Sequence, residues 1–200
     1  MSEPVTAIRV APATPDRWPD VVAIMGGKRA ERGCWCQYYR CSSSAFAALG
    51  SGAGRLALDR QVTAGPPPGV LAYVDGMPVG WCGIGPRQDL ERLVRSRTIP
   101  TVDDLPVWSI VCFLVRPGYR RRGVGRALLD GVIRHARASG APGLEAYPID
   151  AEGRRLDVSF SYVGFTSTFE AAGFRRVTQT ASRSAGRPRW LMRLDLDAGP

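Results

Sequence analysis

The sequence predicts one α/β domain built on a mixed β-sheet that is flanked by helices. Length and composition support this, because 200 residues with 44% hydrophobic side chains suit a single globular domain with a sizeable core. Local patterns give the order helix, helix, hairpin, strand, helix, strand, helix, strand, strand, which is typical of a mixed sheet. We therefore expect residues 1–200 to form a single domain.

The first third of the chain has helical character. Residues 17–25 predict a short helix, and a glycine-bounded loop over residues 26–33 follows it. Ser42 and the two serines after it offer hydroxyls that can cap a helix N-terminus. Residues 55–64 predict another helix, which the GPPPG sequence at residues 65–69 ends. Residues 1–65 are therefore expected to form a helical region beside the sheet.

The middle of the chain carries the clearest strand signals. Residues 70–74 and 79–84 predict a hairpin, because Asp75 and Gly76 between them form a favoured two-residue turn. Residues 87–97 are polar with helical character. Residues 107–115, VWSIVCFLV, form a continuous apolar run, which is typical of a strand buried on both faces.

The last part of the chain predicts the remaining elements. An apolar face at four-residue spacing runs from Val124 to Ala136 and predicts an amphipathic helix. Residues 144–147 predict a short strand, and residues 149–162 are polar and irregular. Residues 167–172 predict a short helix that Gly173 closes. The segments 174–178 and 190–196 predict a final antiparallel pair. The chain patterns thus account for every element in the predicted order.

A glycine and arginine loop joins the apolar strand to the amphipathic helix. Residues 115–125 read VRPGYRRRGVG. The N-terminus of a helix presents unpaired N–H groups and partial positive charge, so it favours anions. Gly123 and Gly125 leave the backbone open to a close ligand. This loop is therefore expected to bind a phosphate-bearing molecule.

Two familiar phosphate-binding motifs do not fit this loop. A P-loop requires lysine after its second glycine, and Val124 stands there. The dinucleotide fingerprint requires a third glycine, and Leu128 stands at that position. The pattern that fits is R-x-x-G-x-G after V-x-P. With the upstream hairpin VLAYVDGMPVGW and the later FEAAGF, the chain resembles the GCN5-related N-acetyltransferase (GNAT) family over residues 70–196.

The resemblance implies a GNAT-like fold whose splayed central strands hold the co-substrate acetyl-CoA. The region 70–196 would be the acyl-CoA-binding core, with residues 144–147 diverging from the apolar strand, and residues 1–65 would cover the acceptor. The end of the apolar strand would pair with the pantetheine arm, and backbone N–H groups of the loop would hold the pyrophosphate. The implied residues are Phe113, Leu114, Val115, Arg120, Arg121, Arg122, Gly123, Val124, Gly125 and Arg126.

The residues that move protons are less defined. Glu145 is the first candidate for the base, and Asp89, Glu91, Asp103 and Asp104 are alternatives. Many family members carry a tyrosine where this chain has Phe169, which cannot donate a proton. Tyr162 is the candidate that replaces it as acid. Cys112 is interpreted as core filler rather than a nucleophile, because the lone His135 is expected at an edge or in solvent.

The segment CWCQYYRC at residues 34–41 combines cysteines with aromatic side chains. Trp35, Tyr38 and Tyr39 could supply flat faces to an acceptor, or could pack the helices onto the sheet. Three cysteines with C-x-C-x₄-C spacing lack a fourth nearby zinc ligand, so no metal is expected. An odd total of five cysteines argues against a disulfide framework.

The predicted function is transfer of an acetyl group to a primary amine of a small molecule or peptide, by direct attack in a ternary complex. The alternative is a non-catalytic acyl-CoA sensor or interaction module. The net charge of +9 does not fall into a recognisable nucleic-acid-binding module, and we expect neither a nucleic-acid nor a membrane partner. With no signal peptide or apolar run near 20 residues, we expect a cytoplasmic protein. The sequence leaves open whether the protein forms a homodimer.

Overall fold

A computed structural model describes residues 7–26, 33–151, 162–184 and 186–196. The described strands form one mixed sheet of seven strands in the order β1-β2-β3-β4-β5-β7-β6. Every neighbouring pair is antiparallel except β4 and β5, which are parallel. The strands are β1 (Arg9–Pro12), β2 (Gly69–Val74), β3 (Met77–Pro86), β4 (Trp108–Val115), β5 (Gly143–Ala146), β6 (Arg175–Ser184) and β7 (Arg187–Asp195).

Helices pack on both faces of this sheet, so the predicted α/β fold with a mixed central sheet is confirmed. The long amphipathic helix lies on one face, where Leu128 and Val132 join strand residues in the largest apolar cluster. The first helix and Leu58 of the third cover the other face. The described α-helices are α1 (Trp18–Met25), α2 (Ser43–Ala47), α3 (Ala53–Ala64), α4 (Glu91–Val94), α5 (Val124–Ala138) and α6 (Thr166–Glu170).

Local sequence signals explain several element boundaries. The β2–β3 turn has positive φ at both Asp75 (51°) and Gly76 (74°), as a two-residue type I′ hairpin turn requires. The Ser42 hydroxyl accepts a hydrogen bond from the Ala45 N–H at 3.1 Å, so it caps α2 as predicted. Gly173, at φ 92°, follows α6 and closes it in a left-handed conformation.

Three parts of the sheet differ from the prediction. Arg9–Pro12 forms β1 on the edge beside β2, although the first 65 residues were expected to be helical. Strands β6 and β7 extend well past the predicted segments 174–178 and 190–196. These stretches are rich in arginine and serine, and tertiary pairing forms strands there despite weak local signals. Most of the predicted loops at residues 26–33 and 149–162 lie outside the described residues.

Candidate active site

The sheet opens between β4 and β5. The parallel pairing joins Trp108 to Leu144 and ends where Ile110 pairs with Ala146, although β4 continues to Val115. The end of β4 therefore keeps its pairing with β3 and has a free edge on its other side. Phe113, Leu114 and Val115 are all half-buried along this edge. This wedge exposes backbone N–H and C=O groups that an extended ligand can pair with.

A β-bulge lies at the point where the wedge opens. In β3, Gly83 pairs with Cys112 and Ile84 pairs with Ile110, which leaves Val111 of β4 without an opposite residue. A bulge interrupts the ladder and re-aims the backbone groups beside it. Sequence reasoning missed this bulge, but Gly83 was a signal, because an interior glycine often marks a bulge or close approach. A Cβ at Gly83 would lie 3.3 Å from Cys112 Cβ.

The loop after β4 leads directly into the N-terminus of α5. Gly123 is the N-cap residue of α5 with φ 82°, and Arg121 also has positive φ, at 61°. The first intrahelical hydrogen bond runs from the Ala127 N–H to the Gly123 carbonyl at 3.0 Å. The N–H groups before Ala127 therefore point out of the helix end, where they can bind an anion.

The space above this helix end suits a pyrophosphate. A Cβ at Gly125 would meet nothing within 4 Å, so the backbone there is open to a ligand. Val124 is buried and anchors the helix in the core, so its contribution to binding is limited to the backbone. The arrangement fits the donor that the family resemblance implied, and the fit comes from backbone groups rather than from one charged side chain.

The arginines of the loop differ in their surroundings. Arg120, Arg121 and Arg122 are exposed, and Arg120 Nε donates to the Val115 carbonyl at 3.0 Å. Arg126 Nε is 3.0 Å from an Asp130 carboxylate oxygen one turn later. The first three can therefore turn toward phosphate oxygens, whereas Arg126 already has a carboxylate partner and contributes its backbone N–H.

The aromatic segment divides into core and surface. Trp35 is 3% exposed, lies with its ring centroid 6.2 Å from that of Trp18, and packs under α3. Its side chain fills the core and does not line the cavity described next. Tyr38 is 37% exposed, and Tyr39 is buried with its hydroxyl accepting a hydrogen bond from Arg189 at 2.7 Å. Of the three predicted acceptor residues, Tyr38 and Tyr39 line the cavity together.

The cavity beside Tyr38 and Tyr39 has a volume of about 570 Å³, which is in the usual range for small-molecule sites. Residues of α4 and the turn after it form one side. Ser182 of β6 and Arg189 of β7 form another side. Sequence reasoning missed these contributors because the lining comes from three distant stretches of the chain: residues 38–44, residues 92–99 and the β6–β7 hairpin. The arginine-rich sequence ERLVRSR at residues 91–97 was the available signal.

Phe169, which stands where many family members carry a tyrosine, and the acid candidate Tyr162 lie in different surroundings. Phe169 is fully buried, with its ring 5.8 Å from Phe113 and perpendicular to it. Tyr162 is 39% exposed, and burial of its hydroxyl raises its pKa, with Tyr39 raising it further and Arg189 lowering it. The Tyr162 hydroxyl is protonated at neutral pH and available as a donor.

Glu145 is part of a buried polar network. It is 1% exposed and accepts hydrogen bonds from Arg193 Nη2 at 2.6 Å and from the Tyr147 hydroxyl at 2.9 Å. Arg87 Nε lies 3.2 Å from the same carboxylate oxygen that accepts from Tyr147, and the Tyr147 hydroxyl also contacts the Ser109 hydroxyl at 2.9 Å. An amine therefore has no open path to this carboxylate, and any role as base would act through Tyr147 or a water.

Cys112 is half-buried and His135 is buried, and both contact other residues of the chain. A hydrogen bond with Cys36, together with burial, raises the pKa of the Cys112 thiol, so the thiol is protonated and poorly suited to nucleophilic attack. His135 is 9% exposed, and its Nε2 lies 3.0 Å from the Pro67 carbonyl oxygen. The expectation of a solvated or edge histidine was wrong, because the loop before β2 covers this end of α5.

Comparison with known proteins identifies the family. The model of the acetyltransferase (GNAT) family matches residues 35–152, which is more than half of the chain. The chain belongs to this family and is an acetyltransferase, and the family uses acetyl-CoA as its acyl donor. No curated protein matches the chain by sequence.

Solved structures share the fold at low sequence identity. A structure described as histone acetyltransferase HPA2 and related acetyltransferase, from Corynebacterium glutamicum, is 20% identical with a TM-score of 0.57, over 94% of this chain and 95% of that one. A GCN5-related N-acetyltransferase from Kribbella flavida is 17% identical with a TM-score of 0.55, over 95% and 98%. An acetyltransferase of the GNAT family from Streptococcus pneumoniae is 16% identical with a TM-score of 0.55, over 95% and 99%.

The described ranges contain neither a candidate membrane-spanning helix nor a candidate metal-binding group. None of the helices in those ranges is long and apolar enough to cross a membrane. Within the same ranges, histidine, cysteine, aspartate and glutamate side chains form no group of three or more that could hold a metal ion.

Proposed function

We propose that this acetyltransferase transfers the acetyl group of acetyl-CoA to a primary amine of a small molecule or peptide, by direct attack within a ternary complex. The observation that carries the proposal is the bulge at Val111. It lies where the β4–β5 wedge opens, with the anion-binding loop at the far end of β4. Donor and acceptor would then meet at one point on the sheet.

The donor half of the site consists mainly of backbone. The free edge of β4 at Phe113, Leu114 and Val115 supports pairing with the amide groups of the pantetheine arm. The N–H groups at the start of α5, between Gly123 and Arg126, would hold the pyrophosphate. Because these donors are fixed by strand and helix, they need little reorganisation when the ligand binds.

Stabilisation of the reacting carbonyl is assigned to the backbone at the bulge. Attack on a thioester places negative charge on the carbonyl oxygen, and preorganised N–H donors stabilise that charge. Val111 has no opposite residue in β3, and the N–H groups of Val111 and Cys112 both lie beyond the last β4–β5 pair. They are therefore the donors that we propose for the oxyanion.

Two proton transfers complete the reaction. The amine must lose a proton, and the departing thiolate takes one up. Tyr162 is proposed as the acid, since its side chain is 39% exposed and a tyrosine hydroxyl is a proton donor at neutral pH. Glu145 stays the predicted base, and its hydrogen bond from Tyr147 supports action through that hydroxyl rather than by direct contact.

The experiment is an amine panel of amino acids, short peptides, polyamines and aminoglycosides, incubated with acetyl-CoA. Acetylated product is measured by mass spectrometry, because the exposed Cys34 would itself react with thiol reagents. Initial rates at varied donor and acceptor concentrations should give intersecting lines, as a ternary complex requires. Parallel lines would indicate an acyl-enzyme and contradict direct attack.

A second arm tests the acid and the sensor alternative. Tyr162→Phe should lower kcat with little change in the KM of either substrate, because it removes a proton donor and no binding contact. If acetyl-CoA binds tightly and no amine in the panel is acetylated, the result would support the non-catalytic sensor and count against the proposal.

A further inference from the structure

The cavity beside the wedge is strongly cationic. Its lining includes four arginines and several hydroxyl groups, and among the described residues no aspartate or glutamate lines it. The carboxylate of Glu91 pairs with Arg95 at 3.1 Å and also accepts a hydrogen bond from the Ser42 N–H at 2.8 Å. Positive charge in the cavity therefore exceeds the negative charge that the described part of the chain provides. The arginines are Arg92, Arg95, Arg97 and Arg189.

Arg189 is the most informative of the four. It is 4% exposed, and its hydrogen-bond acceptors are neutral: the Tyr147 carbonyl at 2.8 Å, the Tyr39 hydroxyl at 2.7 Å and the Ser182 hydroxyl at 3.4 Å. Its buried Nη2 has no hydrogen-bond acceptor anywhere in the described ranges. A buried guanidinium without a counter-charge is costly, and a bound anion would offset that cost.

Arg92 and Arg97 add charge that no described carboxylate neutralises. Arg92 donates to the Tyr38 carbonyl, and its guanidinium lies 4.1 Å from the centre of the Tyr38 ring. Arg97 is exposed at the cavity wall. Guanidinium groups bind carboxylate and phosphate oxygens in a bidentate manner, so the wall suits an anionic group more than an aliphatic or cationic one.

The cavity lies on the side of the sheet where the wedge opens. Arg189 pairs in register with Ile149, just beyond the end of β5, and Arg189 Nε donates to the Tyr147 carbonyl. Tyr147 and Tyr39 belong to the same apolar cluster as the bulged Val111. The residues that Arg189 contacts therefore pack in the same apolar cluster as the bulge.

We infer that the acceptor is a small amine that carries its own anionic group, a carboxylate or a phosphate, and that Arg189 and Arg97 bind this group. The inference rests on the proposed function, because it assigns the cavity to the acceptor. It predicts that a polycation such as an aminoglycoside is a poor acceptor, since four guanidinium groups would repel it.

The test uses pairs of acceptors that differ in a single charge. The L-amino acids are compared with their C-terminal amides, and phosphoethanolamine is compared with ethanolamine, by kcat/KM for acetylated product. We expect each anionic member to exceed its neutralised mate by at least roughly tenfold, which corresponds to about 1.4 kcal/mol. The two series separate a carboxylate from a phosphate as the preferred group.

Arginine variants connect this preference to the cavity. Arg97→Gln and Arg189→Gln should each reduce the anionic-to-neutral ratio by several-fold. Arg134→Gln removes the same charge from the exposed side of α5, away from the cavity, and should leave the ratio unchanged. Arg97 is exposed, so its variant remains informative if Arg189→Gln fails to fold. Equal rates for both members of each pair, or ratios unaffected by both cavity variants, would overturn the inference.

A binding measurement separates this inference from the proposed function. The same pairs are titrated by calorimetry into protein saturated with coenzyme A, where no transfer can occur. If no amine is acetylated but the anionic members still bind, and the cavity variants weaken that binding, transfer fails and the anion site stands. If amines are acetylated and the anionic members show no binding advantage, transfer stands and the anion site is wrong.

Discussion

At the residue scale, a few side chains have clear roles because their surroundings restrict them. Gly125 leaves open space at the helix end, whereas Arg189 places in the cationic cavity a charge that no carboxylate of the described residues pairs with. Glu145 is the reverse case, since two arginines and a tyrosine surround its carboxylate. A buried charged side chain can therefore support the fold when its partners come from the chain, or be available to a ligand when they do not.

Gly125→Glu tests the donor site. The new carboxylate would stand over the N-terminus of α5, where it would occupy the anion-binding space and repel a pyrophosphate. Affinity for acetyl-CoA, measured by calorimetry, should fall by at least roughly tenfold. Gly50→Glu is the matched control, because Gly50 is exposed between α2 and α3 and a Cβ there also meets nothing within 4 Å. Undiminished affinity in Gly125→Glu would refute the assignment.

Glu145→Gln tests the buried network. Arg193 and Arg87 would keep their charges with the shared carboxylate gone, so we expect a loss of roughly 3–5 kcal/mol in the free energy of unfolding, measured in urea. Asp195→Asn breaks the exposed pair with Arg175 and should cost less than about 1 kcal/mol. Equal effects of the two changes would contradict a structural role for Glu145.

The pH–rate profile of Glu145→Gln examines the catalytic role separately. Loss of the acidic limb, in protein that is still folded, would support Glu145 as the base. An unchanged profile at an unchanged rate would remove it from the mechanism.

At the element scale, β4 and α5 form the proposed donor site as one continuous unit. The strand contributes its free edge, and the helix contributes its N-terminus after the short turn that holds Gly118 and Gly123. The helix is fixed by its apolar face and, at its far end, by His135 against Pro67 and Trp108. The position of the anion site therefore depends on packing along the whole helix.

Titration of His135, a residue of α5, is expected to make the free energy of unfolding depend on pH. Burial lowers its pKa, while the bond to the Pro67 carbonyl raises it in part, so the folded protein holds it neutral where the unfolded chain would protonate it. The unfolded state then binds more protons below about pH 6.5, so stability falls as pH falls. Urea unfolding between about pH 7.5 and pH 5.5 should show this slope.

His135→Gln provides the control for that slope. The chain contains one histidine, so the variant should flatten the dependence in this range. An identical slope in the variant would assign the effect to other groups.

At the scale of the whole molecule, one sheet connects the N-terminal region with the donor-binding core. Strand β1, from the first part of the chain, pairs with β2 and packs against α5, while β6 and β7 close the opposite edge. The acceptor cavity also draws residues from both regions, with Tyr38 on one side and Arg189 on the other. The two regions are therefore expected to fold as one unit.

Cooperative unfolding is the corresponding prediction. Circular dichroism reports helix loss, and fluorescence reports the five tryptophans, among them Trp81, which is fully buried beside the α1 side of the sheet. Both signals should follow a single coincident urea transition, as two-state unfolding of one domain requires. Two separated transitions would show that residues 1–65 and 70–196 are independent domains.

The sequence alone determined the elements that form the proposed donor site. The apolar run at residues 107–115, the glycine loop and the amphipathic helix are contiguous, so local periodicity and a motif were sufficient to predict their elements and to suggest the ligand. Helix caps and the Asp75–Gly76 turn were predictable for the same reason, since their conformations depend on neighbouring residues.

Only the tertiary structure decided the acceptor half. The bulge at Val111 depends on pairing with β3, and the cationic cavity joins arginines almost 100 positions apart. Likewise, Glu145 and His135 acquired their surroundings from residues distant in sequence. Burial, unpaired charge and shared partners arise from contacts across the fold, and these contacts have no local pattern along the chain.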